Sequence, residues 1–334
     1  MSTTVFVTGA TGFIAQQTIA LLISKGYNVV GSVRSAAKGE NLKKLHGPKF
    51  QYEIVPVLEE RGAFDVALKN HPEVTVFLHT ASPATFTAED NEKEILNPAI
   101  NGTKYALESV NKVAPQVKRF VYTSSLVAMA TFEQLGDPSF EGGEDSWSPI
   151  TYEEGKTNSL FAYLASKTLA EKAAWEFVKT KKPSFSLTVV NPVYVFGPQA
   201  KDEEAAGSLN LTAEIVASTL RLKKDDEIPQ EAGHFVDVRD VARAHVVAFE
   251  KDEAKGQRII VYTEKFSSQR ILNIIRKNFP ELRERLPIGK PENVDLSGLA
   301  NLQNVKSRKL LGFEQRSLED SVVSAVKQSL RVNA

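Results

Sequence analysis

The chain has 334 residues, 42% apolar and 25% charged, enough for a large α/β core with a smaller lobe. Lys+Arg and Asp+Glu both number 41, so no overall basic field exists to attract nucleic acid or an anionic membrane surface. Cysteine is absent, which excludes disulfides, thiolate metal sites and a cysteine nucleophile.

The opening Met1-Ser2-Thr3-Thr4 carries no basic n-region and runs at once into a strand-like stretch that stops at Gly9, unlike a signal peptide. No apolar run approaches the roughly 18 to 20 residues of a membrane helix, and the final residues match no targeting tail. The expected location is cytoplasmic, without membrane or nucleic-acid partners.

Short β-branched runs predict strands over Thr4 to Thr8, Val29 to Val33, Gln51 to Val55, Thr75 to Thr80, Arg119 to Thr123 and Leu187 to Val190. Several are apolar nearly throughout, as strands covered on both faces should be. Between them, Phe13 to Ser24, Gly62 to Leu68, Glu92 to Val113 and Phe161 to Lys179 have helical periodicity. The alternation predicts an α/β fold, a doubly wound parallel Rossmann sheet, over residues 1–198. Beyond Pro198 helices dominate, at about Leu209 to Leu222, Val238 to Glu250, Ser267 to Asn278 and Leu318 to Leu330, so 199–334 reads mainly as a smaller, mostly helical substrate lobe. Arg258 to Tyr262 again looks like a strand, which either returns to the main sheet or builds a small separate one.

The first strand ends in Thr8-Gly9-Ala10-Thr11-Gly12-Phe13-Ile14-Ala15 and feeds directly into an apolar helix. That context makes the loose glycine pattern a dinucleotide-site candidate, with Gly9, Thr11, Gly12, Phe13 and Ile14 as its binding residues. Gly9 permits the tight turn, and Gly12 lets a pyrophosphate approach the N–H groups of the helix N-terminus. A ligand-free strand-to-helix turn is the plain alternative. After the second strand stand Arg34 and Lys38, with no carboxylate at the strand end. An acidic residue there would accept hydrogen bonds from a ribose 2′-OH and repel a 2′-phosphate, whereas a guanidinium favours the phosphate. The pattern therefore predicts NADPH/NADP+, unless the two are merely solvated loop charges.

Tyr163 and Lys167 stand four apart in a helical stretch and project from one face. A phenol near pKa 10 is a poor acid or base at neutral pH, and a neighbouring ammonium should lower that value by stabilising phenolate. Tyr163 could then protonate a carbonyl oxygen while hydride arrives at carbon. Ser125, at the C-terminal end of a strand, could donate a hydrogen bond to the same oxygen. Tyr-x-x-x-Lys alone is a common accident of helices; its order after a glycine loop, a basic pair and strand-end serines gives it weight.

On these residues the chain resembles the extended short-chain dehydrogenase/reductases, and within them the yeast methylglyoxal/carbonyl reductases and plant dihydroflavonol reductases. The likeness runs through Val7 to Ile14, Val33 to Ser35, His79 to Pro83, Asn97 to Thr103, Tyr122 to Ser125, Tyr163 to Lys167, Asn191 to Pro198 and His234 to Ala242. It implies that Ser125 polarises the carbonyl, Tyr163 donates the proton, and Lys167 tunes Tyr163 and holds the nicotinamide ribose. It also implies that Ala81 and Ser82 line the cofactor's path, that Pro192 and Val193 meet the nicotinamide, and that hydride leaves its B face. One position departs from the pattern. Relatives often carry an aspartate for the adenine amino group after the third strand, where this chain has Ile54-Val55-Pro56-Val57-Leu58, so adenine contact must rest on backbone groups or stacking.

The substrate pocket should be roofed by Phe132 to Leu160 and the helical lobe. Phe86, Leu126, Val127, Phe161, Tyr194 and Phe196 are candidate walls for a ketone's substituents, or equally core, and Glu214 is a further candidate. The histidines (46, 71, 79, 234 and 245) lack a metal-ligand spacing, so no metal is expected. Asp237 and Asp240 suit helix capping better than catalysis. The reading is NADPH-dependent reduction of small-molecule aldehydes and ketones by a monomer or homodimer. The rivals are a hydroxysteroid dehydrogenase, a sugar-nucleotide epimerase, or a non-catalytic NADP(H) sensor on the same fold.

Overall fold

A computed structural model describes residues 3–82, 88–207, 209–292 and 294–332. Seven parallel strands form the main sheet, β1 (Thr4–Val7), β2 (Asn28–Val33), β3 (Phe50–Ile54), β4 (Val74–His79), β5 (Arg119–Thr123), β6 (Ser186–Pro192) and β9 (Arg258–Val261), in the order β3-β2-β1-β4-β5-β6-β9. The chain winds outward from β1 to β3, then restarts at β4 on the other side of β1. A crevice therefore opens between the C-terminal ends of β1 and β4, where open parallel sheets bind ligands. Both faces are covered: Val5 and Val7 point into one apolar core, and Phe6 between them points into the other. On the second face Phe6, Phe77, Phe120 and Phe185 stack across successive positions at 5.0, 5.1 and 5.5 Å.

Helices Phe13–Ser24 and Val238–Glu250 begin and end where periodicity places them. Two others shift for identifiable reasons. The helix expected from Gly62 runs over Asp65–Asn70, because Gly62 is left-handed at φ 81° and stands outside any right-handed helix. The stretch expected as one helix from Glu92 opens with a π-turn, Glu92–Leu96, before the α-helix Asn97–Val113. Pro98 sits in the first turn of that helix, where its missing N–H costs nothing. A helix at Ala36–His46 was not foreseen, and Lys38 lies on it rather than on a loop.

The smaller lobe is mostly helical but also contains a three-stranded sheet, β10 (Glu264–Ser267), β8 (Ala232–Asp237) and β7 (Tyr194–Phe196). Between β8 and β10 the chain revisits the main sheet, where β9 pairs with β6 in parallel. Asp237 caps helix Val238–Glu250 by accepting the Arg239 N–H at 2.8 Å. No described helix is long and apolar enough to cross a membrane.

Candidate active site

The crevice is built from side chains that tie β1 to its neighbours. The Thr8 hydroxyl oxygen accepts the N–H groups of Thr80 and Ala81, each at 3.0 Å, and so directs its own proton to His79 Nδ1, also at 3.0 Å. Gly9 donates its N–H to the Ser32 hydroxyl at 3.1 Å, and the Ala10 N–H bonds the Ser32 carbonyl at 2.9 Å. Gly9 holds φ at 62°, and a Cβ there would stand 3.0 Å from Ala81 Cβ, so only glycine lets these chain segments approach so closely. Gly12 starts helix Phe13–Ser24 from an extended conformation, with no side-chain cap. Thr11 and Gly12 are exposed, which leaves the first N–H groups of the helix to face the crevice. Phe13 is buried in the core and Ile14 packs against it, so their backbone, not their side chains, is available to a ligand.

Arg34 directly follows β2 and Lys38 is one turn on; both are exposed, and among the described residues no carboxylate pairs with either. At the end of β3, Ile54 and Val57 expose 48% and 38% of their surface. These are apolar groups beside the crevice where an aspartate was expected from the resemblance, and they offer a ring a surface to lie against. Ala81 and Ser82 follow β4 and are half-buried; Pro192 ends β6, with Val193 half-buried after it. This chain thus presents an open helix N-terminus, a cradle that a Cβ would fill and a basic pair, a donor set that fits a phosphorylated dinucleotide.

Across the crevice, Tyr163 and Lys167 lie on helix Ser159–Lys181, whose first turn is capped by Asn158 accepting the Phe161 N–H at 2.9 Å. Ser125 leaves β5 into a 3-10 turn, Leu126–Ala128, and its hydroxyl shares a hydrogen bond with Tyr163. Lys167 is 7% exposed, its Nζ 5.9 Å from the centre of the Tyr163 ring. Burial raises the Tyr163 pKa and the Ser125 hydrogen bond only partly opposes it. The expectation that Lys167 pulls the phenol down is corrected here: desolvation disfavours phenolate more than its neighbours favour it. Burial also lowers the Lys167 ammonium to about 8. At neutral pH the phenol keeps its proton, the form that can donate.

Of the expected pocket walls, Val127 packs with Tyr163, and Tyr194 is half-buried, its pKa raised to about 12 chiefly by burial, then by the nearby Glu231 and Tyr163. Leu126 is buried against Met129 and Val193, and Phe161 is exposed near the start of the Tyr163 helix. Phe86 lies outside the described residues. Two placements are corrections. Phe196 is fully buried, its ring 5.4 and 4.7 Å from those of Phe235 and Phe266, because it shares a face of β7 with the half-buried Tyr194, and that face packs into the core of the lobe. Glu214 faces a surface groove with Arg285 and Leu330 and is ion-paired with Arg221, its helix being turned by the burial of Ala213, Val216 and Ala217.

Two polar residues behind the site escaped the sequence reading. Glu171, four residues beyond Lys167 on the same helix, is fully buried and bonds Ser124, and Asn191 bonds both Glu171 and the Ser125 carbonyl. The signal was the spacing of Tyr163, Lys167 and Glu171 along one stripe.

A parallel sheet with a glycine-loop crevice facing a serine, a tyrosine and a lysine defines a dinucleotide-dependent enzyme of the short-chain reductase type. The chain belongs to the NAD dependent epimerase/dehydratase family, whose model matches residues 5–262. It is 50% identical to GRP2 of Candida albicans, over 97% of this chain and 99% of that one. With the NADPH-dependent methylglyoxal reductase GRE2 of Saccharomyces cerevisiae it shares 44% identity over 98% of each. The crystal structure of yeast methylglyoxal/isovaleraldehyde reductase Gre2 with NADPH superposes with a TM-score of 0.95 at 43% identity, covering 99% of both chains.

Proposed function

We propose that this chain is an NADPH-dependent carbonyl reductase that converts aldehydes and ketones, including α-dicarbonyls such as methylglyoxal, to alcohols. The observation that carries this reading is the hydrogen-bonded pair of Ser125 and a protonated Tyr163, with buried Lys167 beside them, at the strand ends that face the glycine loop. The similarity to NADPH-dependent reductases over nearly the whole chain supports it.

NADPH would lie along the backbone of Gly9 to Ile14, with Arg34 and Lys38 at its 2′-phosphate, Ile54 and Val57 beside adenine, Ala81 and Ser82 along its path, and Lys167, Pro192 and Val193 around the nicotinamide riboside. When bound it supplies hydride. Tyr163 delivers its phenolic proton to the carbonyl oxygen as negative charge develops there. Ser125 donates a hydrogen bond to that oxygen, and the Lys167 ammonium stabilises the phenolate left behind. Leu126, Val127, Phe161 and Tyr194 form the apolar wall for the substituents of the carbonyl.

Tyr163→Phe tests the mechanism, since it removes the proton and leaves the ring. Turnover should fall by about 100- to 10,000-fold, the usual worth of a positioned general acid, with NADPH binding nearly intact. Full activity in this variant would refute the assignment.

A further inference from the structure

Behind the catalytic face, one buried carboxylate gathers four segments of the chain. Glu171 has no exposed surface, and its two oxygens accept four hydrogen bonds, the full capacity of a carboxylate. Oε2 takes the Ser124 hydroxyl at 2.5 Å and Asn191 Nδ2 at 2.8 Å. Oε1 takes Arg258 Nε at 2.5 Å and Trp175 Nε1 at 3.2 Å. Asn191 spends its other proton on the Ser125 carbonyl at 3.1 Å. Arg258, itself only 9% exposed, stacks 3.8 Å from the centre of the Trp147 ring and donates to the carbonyls of Glu144 and Ser146.

The consequence lies in what these partners adjoin. Ser124 precedes Ser125, and Asn191 precedes Pro192 and Val193. Glu171 shares its helix stripe with Tyr163 and Lys167, so the helix that carries the acid is pinned to the strand ends that carry its partners. Helix Asn97–Val113 packs against the Tyr163 helix, and none of the four donors to Glu171 comes from it. We propose that Glu171 is a positioning residue for hydride transfer, holding Ser125 at hydrogen-bond distance from Tyr163 and fixing the Asn191 to Val193 floor of the nicotinamide site. This rests on the reading that Ser125 and Tyr163 act together on the carbonyl.

A glutamine at this position keeps the shape but turns an NH2 group toward two of the four donors, so either the strand-end side or the Arg258 side must open. Both tryptophans of the chain touch the Glu171 and Arg258 pair, so intrinsic emission reports its integrity without reference to activity. Glu171→Gln, and Ser124→Ala as a variant that preserves the ion pair and therefore folding, are compared with wild type in full-length protein. The measurements are tryptophan emission, NADPH titration and kcat with methylglyoxal, with Tyr163→Phe as the control. Expected are a fall in kcat of at least tenfold in Glu171→Gln and a smaller fall in Ser124→Ala. NADPH affinity should stay within threefold, so that the loss falls on kcat. Tryptophan emission should change in Glu171→Gln and stay near wild type in Ser124→Ala. Unchanged kcat in both variants, or a loss of cofactor affinity parallel to that in kcat, overturns the proposal and leaves the assignment of Tyr163 standing if Tyr163→Phe is inactive. Activity in Tyr163→Phe would remove the reading on which the proposal rests.

Discussion

His245 provides a direct test of how the strand end beneath Ser125 is stabilised. It is fully buried on helix Val238–Glu250, with Nδ1 2.8 Å from the Val241 carbonyl and Nε2 2.6 Å from the Thr123 hydroxyl. A carbonyl can only accept, so Nδ1 carries the proton and Nε2 accepts from Thr123. Burial lowers its pKa from 6.5 to about 4, the Val241 hydrogen bond opposing only in part. Because the folded value lies below the unfolded one, the stabilisation is fully present above about pH 6.5 and is lost as pH falls toward about 4. At about 1.36 kcal/mol per pKa unit, the loss over that window is on the order of 3 kcal/mol. Urea unfolding of wild type and His245→Gln at intervals from pH 7.5 to 4.5 measures it. The wild-type advantage at neutral pH should shrink by roughly 1.4 kcal/mol per pH unit below 6.5. A difference between the two proteins that stays constant across this range would refute both the neutral tautomer and the burial argument.

Two further outcomes concern the cofactor and the proton inventory. Arg34→Ala removes one charge-assisted contact to a 2′-phosphate, worth about 1.5 to 3 kcal/mol, so NADPH affinity should fall by roughly 10- to 100-fold and NADH affinity hardly change; equal effects on both cofactors, read by fluorescence titration, would remove Arg34 from the phosphate site. Burial places the Lys167 ammonium at about 8, so kcat/KM for reduction should be level near neutrality and decline above about pH 8 as that charge is lost. A profile level to pH 10 would show that its charge is not required.

Glycines 9 and 12, the apolar strands and the Tyr163–Lys167 spacing were legible in the sequence because each is a local matter, a turn, a two-sided burial or a helix period. The sheet, the crevice and the face that carries Ser125, Tyr163 and Lys167 follow from them. Strands β7, β8 and β10 were not legible: Ala232–Asp237 and Glu264–Ser267 hold almost no β-branched residues and Tyr194–Phe196 is only three long, so the partners that pair with them decide their conformation. For the same reason Phe196 and Glu214 read as pocket residues, when the packing of the lobe turns one into its core and the other to a surface ion pair. The sign of the Tyr163 shift also depended on tertiary structure: adjacency to a lysine is written in the chain, but the desolvation that keeps the phenol protonated is not. Glu171 shows the division most sharply. Its place on the helix stripe and its bond to Trp175 one turn on are matters of local sequence, whereas its other three donors come from residues 124, 191 and 258, brought together only when three strands close against that helix around one charge.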